Sequence, residues 1–199
     1  MNTAAETEPK VGKPGGGLPF YEWFLAKYIL FPSIYKKTSC EQAKKFFQNE
    51  TTKILALTED LAESDAQKRV LIPRLRGLED NSRYWSVTMA LEHLAIVDSG
   101  IAAAVKDLTE GGTNKKPVLI QDVKPDSKTE FLEAREAFQK ASGNFIDSID
   151  TKALEKYPKA TYPHPWFGPL NAREWYILAG RHQSVHRQQI KNILERLKH

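Results

Sequence analysis

The chain has 199 residues, 41% of them hydrophobic, and a formal charge of +4 from 29 Lys+Arg against 25 Asp+Glu. That length and composition fit one domain with a substantial core. The basic excess is scattered through Lys36-Lys37, Lys44-Lys45 and Lys115-Lys116 with no basic stripe carrying interleaved aromatics, so no nucleic-acid partner is expected. The single cysteine, Cys40, excludes an internal disulfide and a cysteine-based zinc cluster, and it fits a reducing compartment. With no secretory signal pattern at the N-terminus, a cytoplasmic location is expected.

Residues 1–17 are polar and end in Pro14-Gly-Gly-Gly17, which predicts a disordered arm ahead of a single domain over 18–199. The apolar stretch Phe20 to Phe31 is too short to span a bilayer and contains Glu22 and Lys27. It reads as a short amphipathic helix with Phe20, Trp23, Phe24, Lys27 and Phe31 on one side, packed across the domain. It is also the candidate interface for a homodimer, and a membrane-surface anchor is the rarer alternative.

Four long helical periods follow. The first runs from Glu41 to Ser64, with Phe47, Ile54, Leu57 and Leu61 on one stripe and a capping box at Ser39-Cys-Glu-Gln42. The second runs from Ser82 to Leu108, with Ala90, Leu94, Val97, Ile101 and Leu108 as its core face, and Gly111-Gly112 breaks it. A long connection follows, in which Val118-Leu-Ile120 is expected to lie extended over the bundle. The third helix starts at a second capping box, Ser127-Lys-Thr-Glu130, and carries Phe131, Ala134, Phe138, Ala141, Phe145 and Ile149. A Pro-rich stretch from Tyr157 to Leu170 leads to the fourth helix. Asn171 is its N-cap and Trp175, Leu178, His182, Val185, Gln189, Ile193 and Leu197 form its inner stripe. No β pattern competes. The expected fold is all-α: a four-helix bundle with one long crossover between helices 2 and 3, plus the short N-terminal helical segment.

His182 and His186 stand one turn apart on the same helical face. His182 falls on the inner stripe, and His93 borders the core stripe of the second helix. Three core-facing imidazoles need several polar partners or a metal ion. Three protein ligands would leave coordination positions open, the pattern of catalytic sites. Zinc or nickel suit imidazole best here, and iron or manganese also accept it. The zinc-protease pattern H-E-x-x-H is absent, because Gln183 stands where its glutamate would be.

Two motifs carry a resemblance. Tyr84-Trp-Ser-Val-Thr-Met-Ala-Leu-Glu-His-Leu-Ala-Ile-Val-Asp98 is similar to the second-helix motif of the DinB/YfiT-like superfamily. His164-Pro-Trp-Phe-Gly-Pro-Leu-Asn-Ala-Arg-Glu-Trp175, followed by His182, His186 and Gln189, resembles its last-helix motif. The likeness spans Gln42 to Leu197. It implies a four-helix bundle that binds a divalent transition metal through His93, His182 and His186. Some members of that superfamily are transferases or isomerases that use low-molecular-weight thiols such as bacillithiol or mycothiol, and others are described as metal-dependent hydrolases. The resemblance therefore implies a metal-dependent hydrolase or thiol-dependent transferase acting on a small molecule. The alternative is a non-catalytic, metal-stabilised interaction protein on the same bundle.

Other residues are weighed against simpler roles. His164, in the Pro-rich turn, is a candidate for substrate contact or a local turn hydrogen bond. Glu92 and Asp98 are candidates to orient a ligand imidazole, or exposed helix carboxylates. Arg83, with Arg69, Arg74 and Arg76, could receive an anion beside the metal or pair with Glu79 and Asp80. Gln189 is a candidate outer partner of the histidines. Tyr84 and Trp85 read as packing, and Cys40 as a buried small residue.

Overall fold

The computed structural model describes residues 9–112, 123–126 and 128–198. Residues 1–8 of the expected arm, the extended stretch Val118–Ile120 and the Ser127 cap lie outside the described residues. The elements in order are α1 (Phe20–Leu25), a π-helical stretch (Ala26–Leu30), α2 (Phe31–Lys37), α3 (Cys40–Leu57), α4 (Glu63–Ala66), β1 (Val70–Leu71), β2 (Tyr84–Trp85), α5 (Val87–Thr109), α6 (Phe131–Ser148), β3 (Tyr162–His164), β4 (Gly168–Leu170) and α7 (Ala172–Leu197). The four long helices α3, α5, α6 and α7 form the bundle, with α5 packed on α6 and α7, and α3 on α7 and α6.

Side-chain contacts give the helix directions. Near the start of α5, Thr88 donates to the Ala66 carbonyl, and Gln67 and Glu63, just beside Ala66, bond Thr129 and the Phe131 N–H at the start of α6. Asp98 and Ser142, each eleven positions past the first residue of its helix, then meet at 3.0 Å. So α5 and α6 run parallel. Parallel neighbours need a long connection rather than a tight turn, in keeping with the expected crossover. α7 opposes α5, since His93 adjoins His186 and Asp98 adjoins Gln183.

Two apolar clusters fill the bundle. One holds Phe47, Ile101, Val105, Phe145 and Tyr176; the other holds Ile54, Leu91, Leu94, Phe138 and Ile190. Rings from α3, α6 and α7 stack in the first, Phe47 on Phe145 at 4.3 Å and Phe145 on Tyr176 at 5.1 Å between centroids. Between the clusters lies a polar layer with one residue from each long helix. Thr51 donates to Gln183 Oε1 (3.0 Å), Gln183 Nε2 donates to Asp98 Oδ2 (2.8 Å), and Ser142 donates to the same oxygen. Among the described residues, α5 alone has the length and apolar composition of a membrane span. Ala90, Leu91, Leu94, Ile101 and Val105 account for that composition, and all are bundle core.

Several boundaries differ from the sequence expectation. The first long helix ends at Leu57 because the buried Thr58 hydroxyl bonds back to the Ile54 and Leu55 carbonyls, and a separate short α4 follows. The second starts at Val87, capped by Ser86, since residues 80–85 form a 3-10 turn and the strand β2. β2 pairs antiparallel with β1 (Val70 opposite Trp85), and β3 pairs with β4 (Tyr162 opposite Leu170). Strands of two or three residues are too short to show an alternating period. The third helix begins at Phe131 with Glu130 as its N-cap. Its first-turn N–H is satisfied by Glu63 of α4. The capping boxes at Ser39 and Asn171 are both present.

Residues 9–17 have no regular helix or strand, yet they are tied down. The Gly12 N–H donates to Asp80 Oδ2 (2.6 Å), Asn81 donates to the Gly12 carbonyl, and the Gly17 N–H donates to Glu79 Oε1 (2.8 Å).

Candidate metal centre

His93 sits in the second turn of α5, and His182 and His186 sit mid-way along α7. Gly180, two residues before His182, lets α3 approach closely: a Cβ there would stand 2.9 Å from the Phe46 ring and 3.4 Å from the Phe47 backbone. The three imidazoles converge, with ring centroids 4.5 to 5.2 Å apart. One ring nitrogen from each lies within 4.8 Å of the others, so the three histidines are positioned to hold a metal ion.

Hydrogen bonds assign the protons. His93 Nδ1 lies 2.7 Å from the Val123 carbonyl, which can only accept. His93 Nδ1 therefore carries the hydrogen and its Nε2 presents a lone pair. His186 Nδ1 lies 2.6 Å from Gln189 Oε1, while Gln189 Nε2 donates to the Ser82 carbonyl at 2.6 Å. That orientation makes the amide oxygen the acceptor, so His186 also keeps its proton on Nδ1 and presents an Nε2 lone pair. His93 Nε2 and His182 Nε2 are 3.3 Å apart. Two nitrogens bound tetrahedrally at ~2.0–2.1 Å to one zinc-like ion would be about 3.3–3.4 Å apart. His182 Nδ1 is buried with no hydrogen-bond partner.

The surroundings hold these rings neutral. Burial lowers the His93 pKa to about 4, opposed by the Val123 bond, and lowers that of His186 to about 3. His182 is pushed well below 6.5 by burial and by the fields of His186, His93 and His164. A neutral imidazole is the form that ligates a metal. Trp85, itself buried, lies nearly parallel to His186 (6.1 Å, 12°) and edge-on to His93 (5.2 Å). A surface cavity of about 490 Å³ reaches Trp85 and Met89 between Asn81 and the stretch Lys124–Asp126.

The remaining candidates separate clearly. His164 accepts from the Trp166 and Phe167 N–H groups at 3.1 and 3.3 Å, the local turn role, and burial lowers its pKa to about 4. Asp98 is in the polar layer and touches no histidine; burial raises its pKa to about 7, against the bonds from Gln183 and Ser142. Gln183 belongs to the same layer, so the residue at the protease-glutamate position does not face the histidines. Glu92 Oε2 is buried without a hydrogen-bond partner. Arg83 pairs with Asp80 (2.8 Å) and the Ile72 carbonyl, Arg74 with Glu22, and Arg69 donates to the Tyr84 carbonyl. Arg187 pairs with the buried Glu50, and Arg181 lies over the Phe46 ring. Cys40 is half-buried, with its thiol pKa raised mainly by burial. Sequence reasoning missed the Val123 and Ser82 carbonyls and the place of Trp85 against the imidazoles. Backbone carbonyls leave no residue-type signal, but a tryptophan two turns before a histidine did.

A solved structure described as TT2238, a four-helix bundle protein, is 19% identical, with a TM-score of 0.49 over 77% of this chain and 98% of that one. No curated protein matches the chain. The family model described as the DinB superfamily matches residues 47–190, a span that contains His93, His182 and His186. The chain belongs to the DinB superfamily.

Proposed function

We propose that this chain is a metal-dependent enzyme, with a divalent transition metal, zinc or nickel foremost, held by Nε2 of His93, His182 and His186. The observation that carries the reading is the pair of Nε2 lone pairs on His93 and His186, each fixed by a hydrogen bond to Nδ1, facing a third imidazole 3.3 Å from the first. Lone pairs converging in a buried space call for a cation. Such an ion supplies Lewis acidity and lowers the pKa of a coordinated water or thiol toward neutrality. The protein's part is to orient the His93 ring through Val123 and the His186 ring through Gln189 and Ser82, to keep all three rings unprotonated by burial, and to shield one side with Trp85. The reaction class is hydrolysis or thiol transfer on a small molecule, in keeping with the polar cavity wall of Asn81, Lys124 and Asp126 beside Trp85.

The near-complete burial of His93 (8% exposed) and His186 (4%) favours a second reading, a metal that staples α5 to α7 without turnover. Metal removal lowers the melting temperature under both readings, and only the enzyme has turnover to lose. The first test is metal content of protein purified without an affinity tag. Wild type should carry close to one metal per chain and His182→Ala far less. Equal, substoichiometric metal in both would refute the site.

A further inference from the structure

Seven of the ten large apolar side chains exposed among the described residues fall within residues 20–30. Phe20 and Tyr21, Phe24 and Leu25, and Tyr28 and Ile29 repeat every fourth residue, each at least 45% exposed. On a bundle surface a helix normally turns its apolar stripe inward. The expected single stripe divides: Phe20 and Phe24 face solvent, and the opposite face, with Glu22, Trp23 and Phe31, is pinned to the protein. Glu22 pairs with Arg74 (2.7 Å), Trp23 Nε1 donates to the Trp166 carbonyl (2.6 Å), and Phe31 packs on Phe167 (4.6 Å). The tethers therefore hold the apolar face toward solvent. A repeat of four drifts by about 40° per step on a helix of 3.6 residues per turn. The wider π turns at Ala26–Leu30 slow that drift and keep Tyr28 and Ile29 in line with the earlier pairs.

The rim is basic. Residues 9–37 hold five lysines, Lys10, Lys13, Lys27, Lys36 and Lys37, against one carboxylate, Glu22, which Arg74 already engages. The apolar face exposes roughly 700 Å², judged from the ~150–250 Å² of an aromatic side chain. Two copies face to face would reach the range of a stable dimer, so area alone does not choose the occupant. Charge does. A self-contact would bring two lysine-rich segments together with no free carboxylate in either. An anionic bilayer offers an apolar layer for the rings and phosphates for the lysines. The segment lies outside residues 47–190, the part of the chain that the family model matches.

We propose that the outward face of Phe20–Leu30 docks on an anionic lipid surface, with its aromatic side chains in the headgroup layer and the exposed lysines on lipid phosphates. The test is co-sedimentation of the full chain with phosphatidylcholine vesicles, with and without half phosphatidylglycerol. Binding to the anionic vesicles should be at least ten-fold stronger and weaken with salt. Lys36→Ala with Lys37→Ala should weaken it about 20- to 30-fold, at ~1 kcal/mol per lysine. Phe24→Ser with Leu25→Ser should weaken it more than ten-fold while helical circular dichroism stays unchanged. No association with either vesicle, equal binding to both, or a solution dimer that Phe24→Ser with Leu25→Ser dissociates would overturn the proposal.

Discussion

At the scale of single residues, the proposed metal centre depends on atoms outside its three imidazoles. Gln189 spends both ends of its amide on orientation, its oxygen on His186 Nδ1 and its nitrogen on the Ser82 carbonyl. Gln189→Leu keeps the volume and removes both bonds, so metal affinity should fall about 10- to 100-fold. A competition titration against a chromophoric chelator measures this, and an unchanged affinity would contradict the role. The three histidines and Gln189 were legible in the sequence because helical spacing and residue type coincide there: His186 and Gln189 are three apart on one helix. The partner of His93 was not legible. It is a backbone carbonyl at Val123, thirty residues away, brought back by the long connection.

At the scale of elements, helices were readable where a full stripe and a cap agreed. α7 shows both, starting at Asn171 and keeping its inner stripe to Ile193. The sequence pattern places the start of α5 near Ser82, five residues early, because residues 82–86 mix apolar and polar residues in a way that fits a helix and a short strand equally well. Pairing of Tyr84–Trp85 with Val70–Leu71 decides between them, and that contact is tertiary. The ring stack through Phe47, Phe145 and Tyr176 joins three of the four long helices. Phe145 is fully buried, so Phe145→Ala should cost about 3–5 kcal/mol. Denaturant unfolding measures the loss, and a cost below ~1 kcal/mol would mean that the stack is not part of the core.

At the scale of the whole molecule, the histidines couple stability to pH. In the unfolded chain they titrate near 6.5, whereas in the fold His93 and His164 sit at about 4 and His186 at about 3, with His182 also well below 6.5. Between those values the unfolded chain binds more protons, so acid favours unfolding. Asp98 acts in the other sense. Its carboxyl, at about 7 in the fold and 3.8 unfolded, holds a proton that the unfolded chain has released, so its contribution fades as pH rises through that range. Four imidazoles outweigh one carboxyl. The melting temperature of the metal-free protein should therefore rise from pH 4 to about 6.5, and Asp98→Asn should steepen that rise. A flat or falling profile would show that the imidazoles are not buried as described.

The same convergence of α5 and α7 that makes the histidines acid-sensitive positions them to hold a metal ion. The most direct measurement is a zinc titration of the metal-free protein and of the three single variants His93→Ala, His182→Ala and His186→Ala, each checked for retained helix content. One tight equivalent in the wild type, weakened at least ten-fold in every variant, is the expected result. Unchanged tight binding in any one of the three would contradict a three-histidine centre.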